Sequence, residues 1–424
     1  VSGPRRILVT TIGSSGDVHP FVAVSRALVA RGHDVRVAVN PHFRSTVEGA
    51  GLVYEPLGAE LSPADIAREH PAAFGRVRGA WVLARRVFAP LLPEMAARLI
   101  EIAEAYRPDV LVGHQISFGA PWAARRVGAR WATCVLAPST LLSTADPSVY
   151  PIGTDARRLP MWMRRVQNWG GRRYANLVFD PVVNRARRAV GEPARGDTFW
   201  GEMLGADAVL GLFSPAFRGP AADDPPALTI CGFPWFERHG GYGERAERLD
   251  DRLDAFLGAG DPPVIVALGT VLAHTGERLF ARAVEACRRV GRRAVLVTGH
   301  AHGGRFEGDA DVCSVDYAPY GQLFPRGCCT LIHGGIGTTA RAMRAGRPAI
   351  VLPHAHDQFD NAARLERLGL GQRLDERRAS VGRLADAIAR RLGDEATARR
   401  AAAFGARLDD EDGAEVAAEA IERL

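Results

Sequence analysis

The sequence predicts an α/β protein made of two doubly wound domains, each a parallel sheet covered by helices on both faces. Three observations predict it. Short apolar runs alternate with longer helical segments, first from Arg6 and again from Pro263, which is the pattern of parallel strands joined by crossover helices. The chain has 424 residues, more than one hydrophobic core organises. Between the two series, Pro215–Gly243 carries Pro220, Pro225, Pro226, Pro234 and Gly240-Gly241, a composition that marks a connection. We assign residues 1–232 to a first domain, 233–260 to a linker, and 261–424 to a second domain whose terminal helix can return to the first.

The first unit reads as strand Arg6–Ile12, loop Gly13–His19, a helix from Pro20 to Arg31 stopped by Gly32, and strand Asp34–Val39. Proline at the start of the helix and glycine just past its end follow the usual asymmetry of helix termini. Strands Asp109–Gly113 and Trp131–Leu136 flank a helix over Phe118–Val127, and Leu228–Cys231 is a last short strand. The second series reads strand Pro263–Leu268, helix Glu277–Val290, strands Arg293–Thr298, Val312–Val315 and Cys329–His333, helix Thr338–Ala345, strand Ala349–Leu352 and helix Asn361–Leu368.

Composition removes several chemistries. All 54 basic residues are arginine. Without lysine there is no Walker-type phosphate loop, no Schiff base and no kinase ATP pair. The formal charge of +6 comes without a basic run interleaved with aromatics, so no nucleic-acid groove is expected. No apolar stretch is long enough to span a bilayer. The six cysteines never form Cys-x-x-Cys and mostly sit in apolar runs, which suits a reducing, cytoplasmic setting.

The strongest motif is His333-Gly334-Gly335-Ile336-Gly337-Thr338, followed by Gly346-Arg347-Pro348 and then His354-Ala355-His356-Asp357-Gln358-Phe359-Asp360-Asn361. A strand ending in glycines lets an anion approach the backbone, and the next helix offers free N–H groups and its positive dipole end. Asp357 and Gln358, an acid and an amide after a second strand, suit adjacent sugar hydroxyls.

These segments resemble the donor signature of the family 1 inverting glycosyltransferases. That resemblance implies the GT-B fold, two Rossmann-like domains facing across a cleft, and transfer from a UDP- or dTDP-sugar to an apolar hydroxyl acceptor. It implies donor contacts from Ser14, Gly269, Thr270, Tyr317, Ala318, His333, Gly334, Gly335, Gly337, Thr338, Asp357 and Gln358. The segment Asp316–Pro325 is similar to the family's base-binding turn, with Tyr317 in the aromatic place and Tyr320 where many members have glutamine. Gly13-Ser14-Ser15-Gly16-Asp17-Val18-His19-Pro20-Phe21 resembles the acceptor-side loop of bacterial sterol, glycopeptide and rhamnolipid members, and the likeness to the rhamnolipid-type group runs along nearly the whole chain.

Inversion requires a base to remove the acceptor's proton while the diphosphate leaves from the opposite face of the sugar. In many members a histidine stands where Asp17 stands, paired with an aspartate where this chain has His114. The pair is swapped, and Asp17, His114 and His19 are all candidate bases. Acceptor contacts are expected from Phe21, Ser139, Met161 and Trp162. No cofactor or metal is expected. Asp309-Ala310-Asp311 lies in a polar loop, and His354-Ala355-His356 reads as the approach to the sugar site rather than a metal chelate. The Arg/Trp/Met region around Met161–Arg173 leaves three readings open: an apolar acceptor mouth rimmed with arginine, a peripheral membrane contact, or ordinary helix packing. The assembly is a monomer or a homodimer.

Overall fold

The computed structural model describes residues 3–151, 155–236, 248–269, 276–299, 306 and 308–424. The chain divides into two compact units, Val1–Phe236 with Asp412–Leu424, and Glu237–Glu411. The stretch read as a linker contains a helix at Asp251–Gly258, started by the Asp250 carboxylate accepting from the Arg252 and Leu253 N–H groups. Residues 237–247 of that stretch, including Gly240-Gly241, lie outside the described residues.

The first unit holds seven parallel strands: β1 (Arg6–Thr10), β2 (Asp34–Val39), β3 (Val53–Pro56), β4 (Val110–His114), β5 (Arg130–Val135), β6 (Ala208–Gly211) and β7 (Leu228–Ile230). Their spatial order is β3-β2-β1-β4-β5-β6-β7. The order reverses between β1 and β4, which pair with Thr10 opposite Gly113. Open α/β sheets bind ligands at the carboxyl ends of strands flanking such a reversal. Ile7, Leu8 and Val9 are fully buried, as expected for a strand covered on both faces.

Helix α1 (Ser15–Ala30) starts five residues before the expected Pro20. Ser14 is its N-cap, and Asp17, at the third helical position, reaches back to it. The capping box closes the first turn, so Asp17, Val18 and His19 are helical rather than loop residues. Helices α2 (Ala89–Tyr106) and α3 (Ala120–Val127) cover the core, and α4 (Met161–Ala189) runs for 29 residues through the Arg/Trp/Met region.

The second unit holds β8 (Val264–Ala267), β9 (Ala294–Val297), β10 (Val312–Val315), β11 (Cys329–Ile332), β12 (Ala349–Val351) and β13 (Gly371–Arg373). Their order is β10-β9-β8-β11-β12-β13, again all parallel, and the reversal falls between β8 and β11, where Ile332 faces Ala267. Its helices are α5 (Asp251–Gly258), α6 (Glu277–Arg289), α7 (Ile336–Arg344), α8 (Gln358–Arg367), α9 (Val381–Gly393) and α10 (Glu395–Asp409). The last helix, α11 (Gly413–Glu422), packs on α1 in the first unit, where Glu422 bonds Arg31 and the His33 ring. No described helix is long and apolar enough to cross a membrane.

Candidate active site

In the first unit Asp17 follows β1 and His114 ends β4, its neighbour in the sheet, and the Asp17 charge favours the protonated form of the His114 ring. One Asp17 oxygen, Oδ2, accepts from the Ser14 N–H at 2.7 Å and from the Ser14 hydroxyl at 3.0 Å. Oδ1 takes part in no hydrogen bond among the described residues. Ser14 is thereby a helix cap, and the half-buried Asp17 keeps one oxygen open. Gly13 permits this arrangement: its φ is +134°, and a Cβ there would sit 2.2 Å from Asp17 Oδ2.

His114 is 4% exposed, and its Nδ1 has no partner among the described residues. Burial pushes its basicity below the ordinary range, and the Asp17 charge only partly opposes that. The ring is therefore neutral near pH 7. Phe21, fully buried in α1, packs edge-on against it with centroids 5.8 Å apart. His19 packs instead against Phe236, at 5.0 Å. Ser139 is buried in a short helix whose carbonyl accepts from Tyr150 at 3.4 Å. Met161 and Trp162 stand exposed on the first turn of α4.

Three further polar atoms at this sheet end lack partners among the described residues: Thr10 Oγ1, Gln115 Oε1 and Ser117 Oγ, all on buried side chains. Buried polar atoms are normally satisfied by water or ligand when protein does not do so. The signal for them was the polar run His114-Gln115-Ile116-Ser117 directly after an apolar strand.

In the second unit β11 delivers His333 to the start of α7. Gly335 is the N-cap, and Thr339 is the first residue whose N–H bonds back, to the Gly335 carbonyl at 2.9 Å. The N–H groups of Ile336, Gly337 and Thr338 are thus unused by the helix and available to an anion. A Cβ on Gly337 would meet nothing within 4 Å, so this approach is open. Burial lowers the His333 pKa to about 4; a hydrogen bond with the Ala267 backbone opposes the shift and nearby His354 adds to it. Nδ1 of His333 has no partner among the described residues. A neutral imidazole beside free N–H groups has the chemistry to receive the oxygens of an anion.

Gly334 adopts φ +94°, and a Cβ there would press on Val351 at 2.8 Å and on the Gln358 carbonyl at 3.1 Å. Buried Asn361 ties the two loops together, its Nδ2 donating to the Gly334 carbonyl at 2.9 Å and to Asp357 Oδ2 at 2.7 Å. Gln358 Oε1 accepts from the backbone N–H groups of His354 and Ala355 at 2.8 and 3.0 Å. That leaves its Nε2 donors for a ligand. His354 bonds Glu376 at 2.9 Å, a partner that the sequence did not suggest.

Gly269, at φ +75°, lies against the His333 ring; Thr270 lies outside the described residues. Tyr317 is 55% exposed after β10, whereas Ala318 is buried. Tyr320 stacks on Phe324 at 4.4 Å. Asp309 and Asp311 both pair with Arg288 in a surface ion pair. Among the described residues no group of side chains has the makings of a metal site.

Residues 7–105 match the model of the glycosyltransferase family 28 N-terminal domain, and residues 307–422 match that of the erythromycin biosynthesis protein CIII-like C-terminal domain. The chain is 31% identical to O-mycaminosyltylonolide 6-deoxyallosyltransferase of Streptomyces fradiae over 98% of this chain and 97% of that protein. It is 29% identical to glycosyltransferase GtfC of Amycolatopsis orientalis, over 97% of this chain and 96% of that one. Among solved structures, the glycosyltransferase of kitacinnamycin superposes with a TM-score of 0.70 at 24% identity, covering 99% of both chains. Two parallel α/β sheets and kinship along 98% of this chain to a deoxyallosyltransferase make the chain a nucleotide-sugar-dependent member of the family 1 GT-B glycosyltransferases.

Proposed function

We propose that this enzyme transfers a 6-deoxyhexose from a thymidine diphosphate sugar to a hydroxyl of an apolar natural product, with inversion at the anomeric carbon. The observation that carries the reading is the end-to-end kinship with a 6-deoxyallosyltransferase whose acceptor is a glycosylated tylonolide. The acceptor oxygen attacks the anomeric carbon, the bond from that carbon to the diphosphate oxygen breaks, and the proton passes to Asp17 Oδ1. Asp17 suits the role of base because it is half-buried with an open oxygen, whereas His114 is enclosed and serves to position it. The leaving diphosphate collects negative charge, which the free N–H groups of α7 and the neutral His333 receive. Asp357 accepts from sugar hydroxyls, and Gln358 Nε2 donates to them.

The clamp provides for the leaving group without a metal, so turnover is expected to survive chelation by EDTA. The six cysteines are free thiols, which supports work in the cytoplasm. Thermal shift against dTDP and UDP tests the donor, since a ligand that binds only the folded state raises its melting temperature. We expect the larger rise with dTDP; a larger one with UDP would reassign the donor to a UDP-sugar such as UDP-glucose. Nucleotide release that depends on an added macrolactone acceptor would establish transfer, and release at the same rate without acceptor would make the enzyme a hydrolase.

A further inference from the structure

Helix α4 is the least enclosed long element of the first unit. None of its side chains from Met161 to Tyr174 is buried; the first that is belongs to Ala175. Trp162, Val166, Trp169, Arg173 and Leu177 follow one another at helical spacing and form a single stripe, with exposures of 66, 57 and 63% for the first three and 75% for Leu177. At 1.5 Å per residue that stripe is about 22 Å long. It faces away from Ala175 and Val178, the side by which the helix meets the core.

A second segment adds to this face. The short helix Gly79–Val82 and the turn Leu83–Phe88 that continues it pack against α4. Trp81 lies on the short helix and Val77 two residues before it, 46 and 62% exposed, and Arg78, Arg85 and Arg86 are exposed along the same stretch of chain. Three of the seven tryptophans of the chain, Trp81, Trp162 and Trp169, are therefore solvent-exposed on these two neighbouring segments.

Charge decides what could cover such a surface. Between Glu69 and Glu94, and again between Asp155 and Asp180, there is no acidic residue; Asp180 and Asp197 border the Trp169, Arg173 and Leu177 end of the stripe, where Asp197 pairs with Arg172 and Asp180 accepts from the Asp197 and Thr198 N–H groups. Arg78, Arg85, Arg86, Arg158 and Arg165 make no ion pair among the described residues, and Arg173 lies 5.7 Å over the Trp169 ring. A second copy of the chain would bring these arginines against their own equivalents, and like charges across an interface are unfavourable. An anionic bilayer supplies phosphate to the arginines and a headgroup layer to the tryptophan rings, which prefer that depth.

We propose that this face of the first unit, Trp81, Trp162, Val166, Trp169 and Leu177 within a rim of unpaired arginines, seats the protein peripherally on anionic lipid. The seating is independent of the transfer reaction and is measured without it. The probe is co-sedimentation of the full chain with phosphatidylcholine vesicles, with and without phosphatidylglycerol. Binding is expected only to the anionic vesicles and should fall as salt screens the arginines. R85S and R165S should each weaken it roughly fivefold, the usual worth of one basic residue at such a surface. The W81S/W169S double variant should abolish it while melting like the parent, since both rings are exposed. Quenching of tryptophan fluorescence by brominated phosphatidylglycerol tests the same contact without any variant. No binding to anionic vesicles overturns the proposal, as does equal binding to neutral ones. A parent that runs as a dimer in light scattering, becomes monomeric on W81S/W169S and ignores vesicles assigns the face to a second copy and overturns it too.

Discussion

Gly269 and His333 are fitted to each other: a Cβ built on Gly269 would lie 2.6 Å from Cε1 and 2.7 Å from Nε2 of the imidazole. Gly269 also holds φ +75°, where an L side chain costs about 1–2 kcal/mol. The G269A variant is therefore expected to destabilise the fold by at least that much and to push His333 off the diphosphate site. Kinetically, the donor KM should rise. The double variant G269A/H333A separates the two effects, because removing the ring relieves the clash. Its melting temperature should recover part of the loss while donor affinity stays low, and a donor KM restored by the double variant would show that His333 does not touch the nucleotide sugar.

Asp17 has two duties, capping α1 and, as proposed, taking the acceptor's proton, and asparagine distinguishes them. An asparagine Oδ1 can still accept from the Ser14 N–H, so D17N should leave the helix start intact and cost well under the ~1 kcal/mol of a lost cap. Turnover should nevertheless fall by about 10²-fold or more, the usual contribution of a positioned base, with dTDP affinity unchanged. S14A should do the reverse and lower stability more than the rate. H114N should slow turnover less than D17N; the opposite ranking would move the proton to the imidazole.

The placement of both strand-to-helix turns was legible because it rests on local signals. Glycine runs after apolar strands gave the β11–α7 turn, and Gly13–Phe21 gave the β1–α1 turn. What the sequence hid depends on distance along the chain or on competition between local signals. Pro20 looked like a helix start, yet Ser14 and Asp17 form a capping box that starts the helix earlier and tolerates proline in its second turn. His354 finds Glu376 22 residues away, a pairing fixed by the register of β12 and β13. Helix α2 went unread because its apolar face is interrupted by Pro90 and Pro93, both accommodated near its start. In α4 the apolar stripe faces water instead of the core, so periodicity alone could not tell packing from display.

Stability should depend on pH through two histidines. Burial holds His333 to a pKa of about 4 and His114 below the ordinary imidazole range. Their unfolded values lie near 6.5, so below that pH the unfolded chain binds protons that the folded chain refuses. The stabilising contribution is complete above pH 6.5 and is lost as pH falls toward 4, by up to about 3 kcal/mol for His333. Melting temperatures of the parent and H333Q, measured from pH 7.5 to 4, should converge at the acid end, since glutamine does not titrate. Parallel curves would mean that His333 takes up its proton as readily in the folded chain as in the unfolded one.

Asn361 joins the glycine turn after β11 to the Asp357 loop after β12, and its loss should be felt in both. The side chain is fully buried, and Nδ2 shares its hydrogens between Gly334 and Asp357. In N361A the Gly334 carbonyl is left without that donor in a buried position, at a cost of about 1–3 kcal/mol, or roughly 2–10 °C in melting temperature. The Asp357 carboxylate loses the contact that fixes its rotamer, so affinity for the sugar diphosphate should fall more than affinity for the nucleoside diphosphate alone. Isothermal titration with dTDP and with a dTDP-sugar separates the two losses. Equal losses would place the effect of Asn361 on the glycine turn only. N361D is the sharper variant, because it removes the donor and sets a second carboxylate against Asp357. It should be the less stable of the two at neutral pH and recover part of the difference as the paired acids gain a proton in mild acid.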